Sequence, residues 1–184
     1  MKKKVIYSII IVSVIIILSV AVTYAVYTFS GVVNISGTSD CFDVNYVKGQ
    51  DIGSDSNPAN FSLASTYTEG LSSVIKVNLK DTCTISNGTG TLYLNTDSTT
   101  SSILLTSNVL KYQVLDGTNE VASGIVSSTG NLPIYNNIEI NNQVKELTVY
   151  IWIDGSLVNN DNSNDILSSV YKGNISMSIE SGDK

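Results

Sequence analysis

The sequence predicts an all-β domain, arranged as a two-sheet sandwich and preceded by one apolar membrane helix. Three observations support this prediction. A long uncharged apolar run follows a lysine cluster at the N-terminus, the rest of the chain alternates apolar and polar residues with a period of two, and turn-forming residues separate the alternating runs. Period-two alternation is typical of sheets with one face buried and the other in water.

The N-terminal element begins with Lys2, Lys3 and Lys4, and no charged residue follows before Phe29. Residues 5–26 would form a helix of roughly 33 Å, which is close to the thickness of a bilayer core. Because lysines favour the cytoplasmic side, the sequence predicts that the rest of the chain lies outside the cell. The predicted partner of this element is therefore the membrane.

The same element also carries a possible cleavage site. Thr23 precedes Ala25 by two positions, as signal peptidase requires, although the apolar run is longer than the 7–15 residues of most cleavable signals. Two outcomes stay open: a retained anchor with an extracellular C-terminal domain, or secretion after cleavage. In both, residues 1–29 form the signal segment and residues 30–184 form one extracellular domain.

The strands follow from the alternation in the remaining sequence. In the clearest run Leu147, Val149 and Ile151 alternate with Thr148 and Tyr150. A jelly-roll or immunoglobulin-like arrangement fits about eight such runs. Turn-rich segments lie between them, among them Asn87-Gly88-Thr89-Gly90, Asp116-Gly117 and Thr129-Gly130-Asn131. A short helix over residues 166–170, capped by Asp165, is also expected. The predicted strands are residues 32–35, 41–47, 73–80, 91–95, 109–115, 121–126, 145–154 and 174–179.

Composition excludes several functions. The chain has no histidine and no arginine, which removes Ser-His and Cys-His nucleophiles, imidazole-based zinc sites and bidentate phosphate clamps. All acidic residues follow the apolar run, so the predicted extracellular part carries a net charge of −9 and is a poor partner for nucleic acid. We therefore expect no enzyme activity, no cofactor and no nucleic-acid partner.

Two cysteines, Cys41 and Cys83, lie in the predicted extracellular part. An even count outside the cytoplasm favours a disulfide, and closing this loop would stabilise the fold by about 4 kcal/mol. Two buried free thiols remain the alternative. A metal site on this pair is not expected, since no further soft ligand is present.

Two weaker candidate sites lie near the C-terminus. Asp161, Ser163 and Asp165 offer oxygen ligands at alternate positions, as the start of a calcium loop does, but the glycine and the downstream glutamate of such a loop are missing, which favours a solvated turn. Trp152, Tyr150 and Tyr171 are candidates for an aromatic patch that contacts carbohydrate or a partner, and Trp152 lies on the face of its strand opposite Ile151 and Ile153. It is either covered by another layer or exposed as a contact for carbohydrate.

Both ends of the chain resemble one group of exported proteins. A lysine cluster, an apolar run ending in Thr23-Tyr24-Ala25, and then Tyr27 are similar to the leaders of the TasA and camelysin group of biofilm-matrix proteins. The stretch Trp152-Ile153-Asp154-Gly155, followed by Tyr171-Lys172-Gly173, resembles the last strands of that group, and the elements around Cys41 and Cys83 resemble uncharacterised membrane-anchored Firmicute surface proteins. The resemblance implies an exported jelly-roll-like sandwich that assembles into fibres by donating an N-terminal strand.

The function that these observations favour is structural. The chain is expected to be a non-catalytic cell-surface or extracellular-matrix protein, anchored by its N-terminal helix or self-associating through a donated N-terminal strand. The alternative is a surface domain that binds carbohydrate or a calcium-dependent ligand, or that hydrolyses a substrate with carboxylates.

Overall fold

The computed structural model describes residues 27–29, 41–47 and 63–181. These residues form two mainly antiparallel β-sheets with few helices, in agreement with the predicted sandwich. The strands are β1 (Tyr27–Phe29), β2 (Phe42–Val47), β3 (Leu63–Ala64), β4 (Leu71–Leu79), β5 (Gly88–Thr96), β6 (Leu110–Asp116), β7 (Asn119–Ile125), β8 (Gly130–Ile140), β9 (Lys145–Asp154) and β10 (Tyr171–Ser181). The short helices are α1 (Ser102–Thr106) and α2 (Ser163–Leu167), and 3-10 turns lie at Tyr67–Glu69 and Gly155–Leu157.

The two sheets differ in size and in how their edges are closed. The four-stranded sheet has the order β1-β10-β5-β8, and the six-stranded sheet has the order β2-β4-β9-β6-β7, with β3 beside the end of β9. Two of the strand pairs are parallel, β1 with β10 and β3 with β9. The first two strands of the chain thus close one edge of each sheet.

The core lies between the sheets and explains the period-two pattern. On β9, Leu147, Val149, Ile151 and Ile153 are each at most 2% exposed, while the side chains between them face outward. From the other sheet, Ile175, Met177 and Ile179 of β10 are at most 1% exposed and belong to the same apolar cluster. Burial of this continuous cluster is the main term that stabilises the fold.

Most predicted strands are present with bounds that differ by a few residues. The run 145–154 is β9 without change, and 73–80, 91–95, 109–115, 121–126 and 174–179 lie within one to three residues of β4 to β7 and β10. The predicted strand 32–35 lies outside the described residues. The last three residues of the predicted N-terminal segment, Tyr27–Phe29, form β1.

The sequence did not predict β8. Gly130 and Asn131 were expected to form a turn, and Pro133, Asn136 and Asn137 also favour loops. The strand tolerates these residues because it is the edge of its sheet, where a proline needs no ladder partner, and because a bulge opposite Leu92 absorbs the irregular stretch. Asn137 takes a φ of 56°, a conformation that asparagine adopts more readily than most residues.

Three local predictions were wrong or incomplete. The segment Asn87-Gly88-Thr89-Gly90 was expected to be a turn, but Gly88 already begins β5. The helix expected over residues 166–170 is Ser163–Leu167, and Asn162 rather than Asp165 precedes it, with no side-chain capping bond. Asp165 instead lies in the first turn, where a carboxylate is favourable beside free backbone amides.

Candidate assembly site at the two N-terminal strands

The first candidate contact is the edge of the four-stranded sheet, where β1 pairs with β10. The pairing is parallel and aligns Tyr27, Thr28 and Phe29 with Tyr171, Lys172 and Gly173. Because β1 has only three residues, it supplies few main-chain hydrogen bonds. Within the described part of the chain, β10 extends eight residues beyond this contact, from Asn174 to Ser181.

The residues of β10 beside β1 are tightly packed. Tyr171 is 1% exposed, and its hydroxyl lies 3.3 Å from the Thr96 hydroxyl of β5. Burial raises the pKa of the Tyr171 phenol far above its usual range, so the group stays neutral. A Cβ atom at Gly173 would lie 2.8 Å from the Asn95 carbonyl oxygen and against the Tyr171 hydroxyl, which explains the glycine in this strand.

The second candidate contact is the edge of the six-stranded sheet, where β2 pairs with β4. This pairing is antiparallel over six residues, from Phe42 opposite Leu79 to Val47 opposite Val74. The ladder continues one step further, because the Lys80 amide donates to the Cys41 carbonyl at 2.9 Å. Lys80 also lies 3.5 Å from the Asp43 carboxylate, in an exposed ion pair that contributes little.

A disulfide closes this edge covalently. Cys41, directly before β2, is bonded to Cys83 in the loop after β4, with a Cα–Cα distance of 5.6 Å. The structure therefore contains the predicted bond, and it joins the ends of two neighbouring strands. Neither cysteine is free.

Phe42 anchors β2 in the core next to this disulfide. Its side chain is 4% exposed, and its ring covers the backbone of Gly88 so closely that a Cβ there would lie 2.5 Å from the ring. Gly88 is thus required by a contact with a distant strand. The only sequence signal for this contact is a glycine that precedes an alternating run, which indicates close backbone approach as well as a turn.

The aromatic residues form a separate patch on the outer face of the six-stranded sheet. The Tyr67 ring meets the Tyr150 ring edge-on at 5.0 Å and lies 6.4 Å from the Trp152 ring. All three side chains are half-buried. Gly70 allows the turn to approach, since a Cβ there would lie 2.7 Å from the Trp152 Cβ. The prediction for Trp152 left cover and exposure open; Tyr67, which the sequence did not single out, supplies partial cover. Tyr171 was expected in the same patch, but it is buried in the four-stranded sheet.

The weak calcium candidates lie in the loop before α2 and in its first turn. Asp161 and Asp165 are exposed and Ser163 is half-buried. Asp154, which the sequence places nearby, accepts hydrogen bonds from Lys111 Nζ at 2.5 Å and from Ser156. Within the described ranges, no group of three or more histidine, cysteine, aspartate or glutamate side chains could hold a metal ion.

One polar cleft of about 410 Å³ opens at the end of the β8–β9 hairpin. Its carboxylates include Asp116, which binds Lys145 Nζ at 2.9 Å, and Glu146, which binds Lys76 Nζ at 2.7 Å. Glu139 and Asn141 also line it. The cleft is therefore lined by carboxylates and amides, with Lys145 held in an ion pair and Val144 exposed beside them.

The possible cleavage residues Thr23 and Ala25, and the rest of the apolar run before Tyr27, lie outside the described residues. Among residues 27–29, 41–47 and 63–181, no helix is long and apolar enough to cross a membrane. No protein-family model, curated protein or solved structure matches the chain.

Proposed function

We propose that this chain is a non-catalytic structural protein of the cell surface or extracellular matrix, in which a jelly-roll or immunoglobulin-like sandwich is displayed outside the cell. The N-terminal segment holds the domain at the membrane, or, once released by cleavage near Thr23 and Ala25, donates a strand to another copy. The lysine cluster before an uncharged run supports export, and the absence of histidine and arginine from the sequence supports a non-catalytic role.

One observation supports the proposed self-association. The strand β1 comes directly after the predicted membrane segment and pairs with β10, the last strand described, through only three residues. A short terminal strand on a sheet edge is the element that a second copy can replace, since an identical strand makes identical main-chain bonds. Alternate side chains then fix the register.

The experiment compares two forms of the protein. One begins at Val26 and contains β1, and the other begins at Ser39, lacks β1 and keeps β2 with both cysteines. Light scattering and electron microscopy should show fibres from the first form alone. Fibres from neither form, or equally from both, would remove strand donation and leave an anchored display domain.

The outer aromatic patch favours a second candidate function, binding of a neutral carbohydrate. Tyr67, Tyr150 and Trp152 present half-exposed rings beside polar groups, and the net negative charge of the chain disfavours anionic polymers. Trp152→Ala should weaken retention on a neutral polysaccharide column roughly tenfold if these rings bind sugar. Equal retention of this variant and the wild-type chain would exclude the site.

A further inference from the structure

The two N-terminal strands are attached to the body of the domain by contacts of very different range. Cys41 and Cys83 are 42 positions apart in sequence. In contrast, Tyr27 of β1 pairs with Tyr171 of β10, the last strand described, so β1 can pair only after nearly the whole domain is present. Closing a longer loop costs more chain entropy, and long-range pairings form later in folding. During export from the N-terminus, β4 and Cys83 also emerge well before β10.

Because β2 is fixed early and β1 late, the two strands can belong to different copies in an assembly. We infer that the Cys41–Cys83 disulfide marks the boundary of the donated segment: β1 passes to a second copy, while β2 stays in its own chain. The inference rests on the strand donation proposed above and names its surfaces. The partner is a second copy of this chain, the donor is β1, and the acceptor is the β10 edge that begins at Tyr171.

The contacts of β2 explain why it is retained. Its side chain Phe42 is buried, its ladder with β4 has six residues, and the covalent bond lies at the end where the N-terminal segment leaves the domain. Forming the bond requires two thiols to lose two electrons and two protons, which a disulfide oxidant such as oxidised glutathione accepts while becoming two thiols.

Retention of β2 also has a consequence for the shape of an assembly. With β2 held, each copy offers one donor strand, β1, and one edge that its own donor vacates, that of β10, which gives a head-to-tail contact that extends in a line. If β2 could also be exchanged, the edge of β4 would become a second acceptor and the chains could branch.

The test uses chains that begin at Val26, the form that the proposed cleavage releases, prepared in isotopically heavy and light forms. Both forms carry Thr28→Cys and Lys172→Cys, which replace register partners in β1 and β10, and both keep Cys41 and Cys83. The two forms are mixed while unfolded and reduced, refolded together and oxidised with glutathione. Peptide mapping then asks which disulfide-linked peptides contain one heavy and one light partner.

We expect mixed peptides for the pair at positions 28 and 172, in the proportion given by random pairing, and none for Cys41–Cys83. Mixed peptides at both pairs would overturn the inference and leave strand donation intact, because the donated segment would then extend past Cys41. Mixed peptides at neither pair would overturn strand donation itself, and mixed peptides at Cys41–Cys83 alone would overturn both. Wild-type chains treated in the same way repeat the Cys41–Cys83 measurement without the added cysteines.

Discussion

The strands β1 and β2 close equivalent edges of the two sheets, but they are held by different means. The shorter, β1, pairs in parallel over three residues and has no covalent link to its neighbour. The longer, β2, pairs in antiparallel over six residues, buries Phe42 and is tied by the Cys41–Cys83 disulfide. One terminal segment therefore contains an edge strand that is easy to replace and an edge strand that is hard to replace, separated by Cys41.

The largest expected effect comes from removing the anchor of β2. Phe42→Ala deletes a side chain that is 4% exposed in the core, and it should lower the free energy of unfolding by about 3–5 kcal/mol. Urea denaturation followed by tryptophan fluorescence measures this value. A loss below about 1 kcal/mol would mean that β2 is not anchored by this ring.

Gly88→Ala tests the same contact from the other strand. The added Cβ would lie 2.5 Å from the Phe42 ring, so we expect a loss of about 1–3 kcal/mol. The matched control is the double variant Phe42→Ala with Gly88→Ala, where the ring is gone and the tightest remaining contact of the added Cβ is the Glu180 carbonyl oxygen at 3.1 Å. If Gly88→Ala costs as much in that background as in the wild type, the clash with Phe42 is not its cause.

After Phe42→Ala, removing the disulfide should cause the next largest loss of stability. Cys41→Ser with Cys83→Ser lowers the free energy of unfolding by about 2–4 kcal/mol, because the unfolded chain regains the freedom of the closed loop. Hydrogen exchange should lose protection at Asp43 and Asn45 of β2 before it does in β9. The double variant should not respond to reductant, and equal exchange in β2 and β9 would contradict the role assigned to the bond.

Deleting β1 should change stability less and assembly more. The form that begins at Ser39 loses three residues of ladder, for which we expect a cost below about 2 kcal/mol relative to the form that begins at Val26. Thermal unfolding of both forms at a concentration that prevents assembly gives the difference. If deleting β1 lowers the free energy of unfolding more than removing the disulfide does, then β1 is held more strongly than β2, contrary to the comparison above.

The sequence predicts the parts of this fold that depend on local pattern. The alternation in residues 145–154 defines β9. A turn was expected at Asp116-Gly117, and the turn between β6 and β7 lies at Gly117 and Thr118, with Gly117 at a φ of 61°. The missed elements depend on distant neighbours. Gly88 begins a strand because Phe42 lies against it, and β8 accepts Pro133 because no strand pairs with its outer side in the described part of the chain.

The candidate site shows the same limit. Cys41 and Cys83 were predictable as a pair, since only two cysteines exist and both follow the apolar run. The parallel pairing of β1 with β10 was not, because nothing in Tyr27–Phe29 indicates which strand it will join. Tyr67 was missed for a similar reason, as its position over Tyr150 depends on the turn before β4 and on Gly70.

The smallest expected effect concerns a polar contact on β9, away from both edges. The hydrogen bond from Lys111, followed by those from Ser156, holds the pKa of the Asp154 carboxyl below the ordinary value of 3.8. Because the folded state releases this proton at lower pH than the unfolded state, the contribution is complete above the ordinary value and is lost as pH falls below it. Unfolding free energies measured from pH 6 to pH 2 should therefore fall less steeply at the acid end for Asp154→Asn than for the wild type. If the unfolding free energies of Asp154→Asn and the wild type fall with the same slope at the acid end, this ion pair does not contribute to pH-dependent stability.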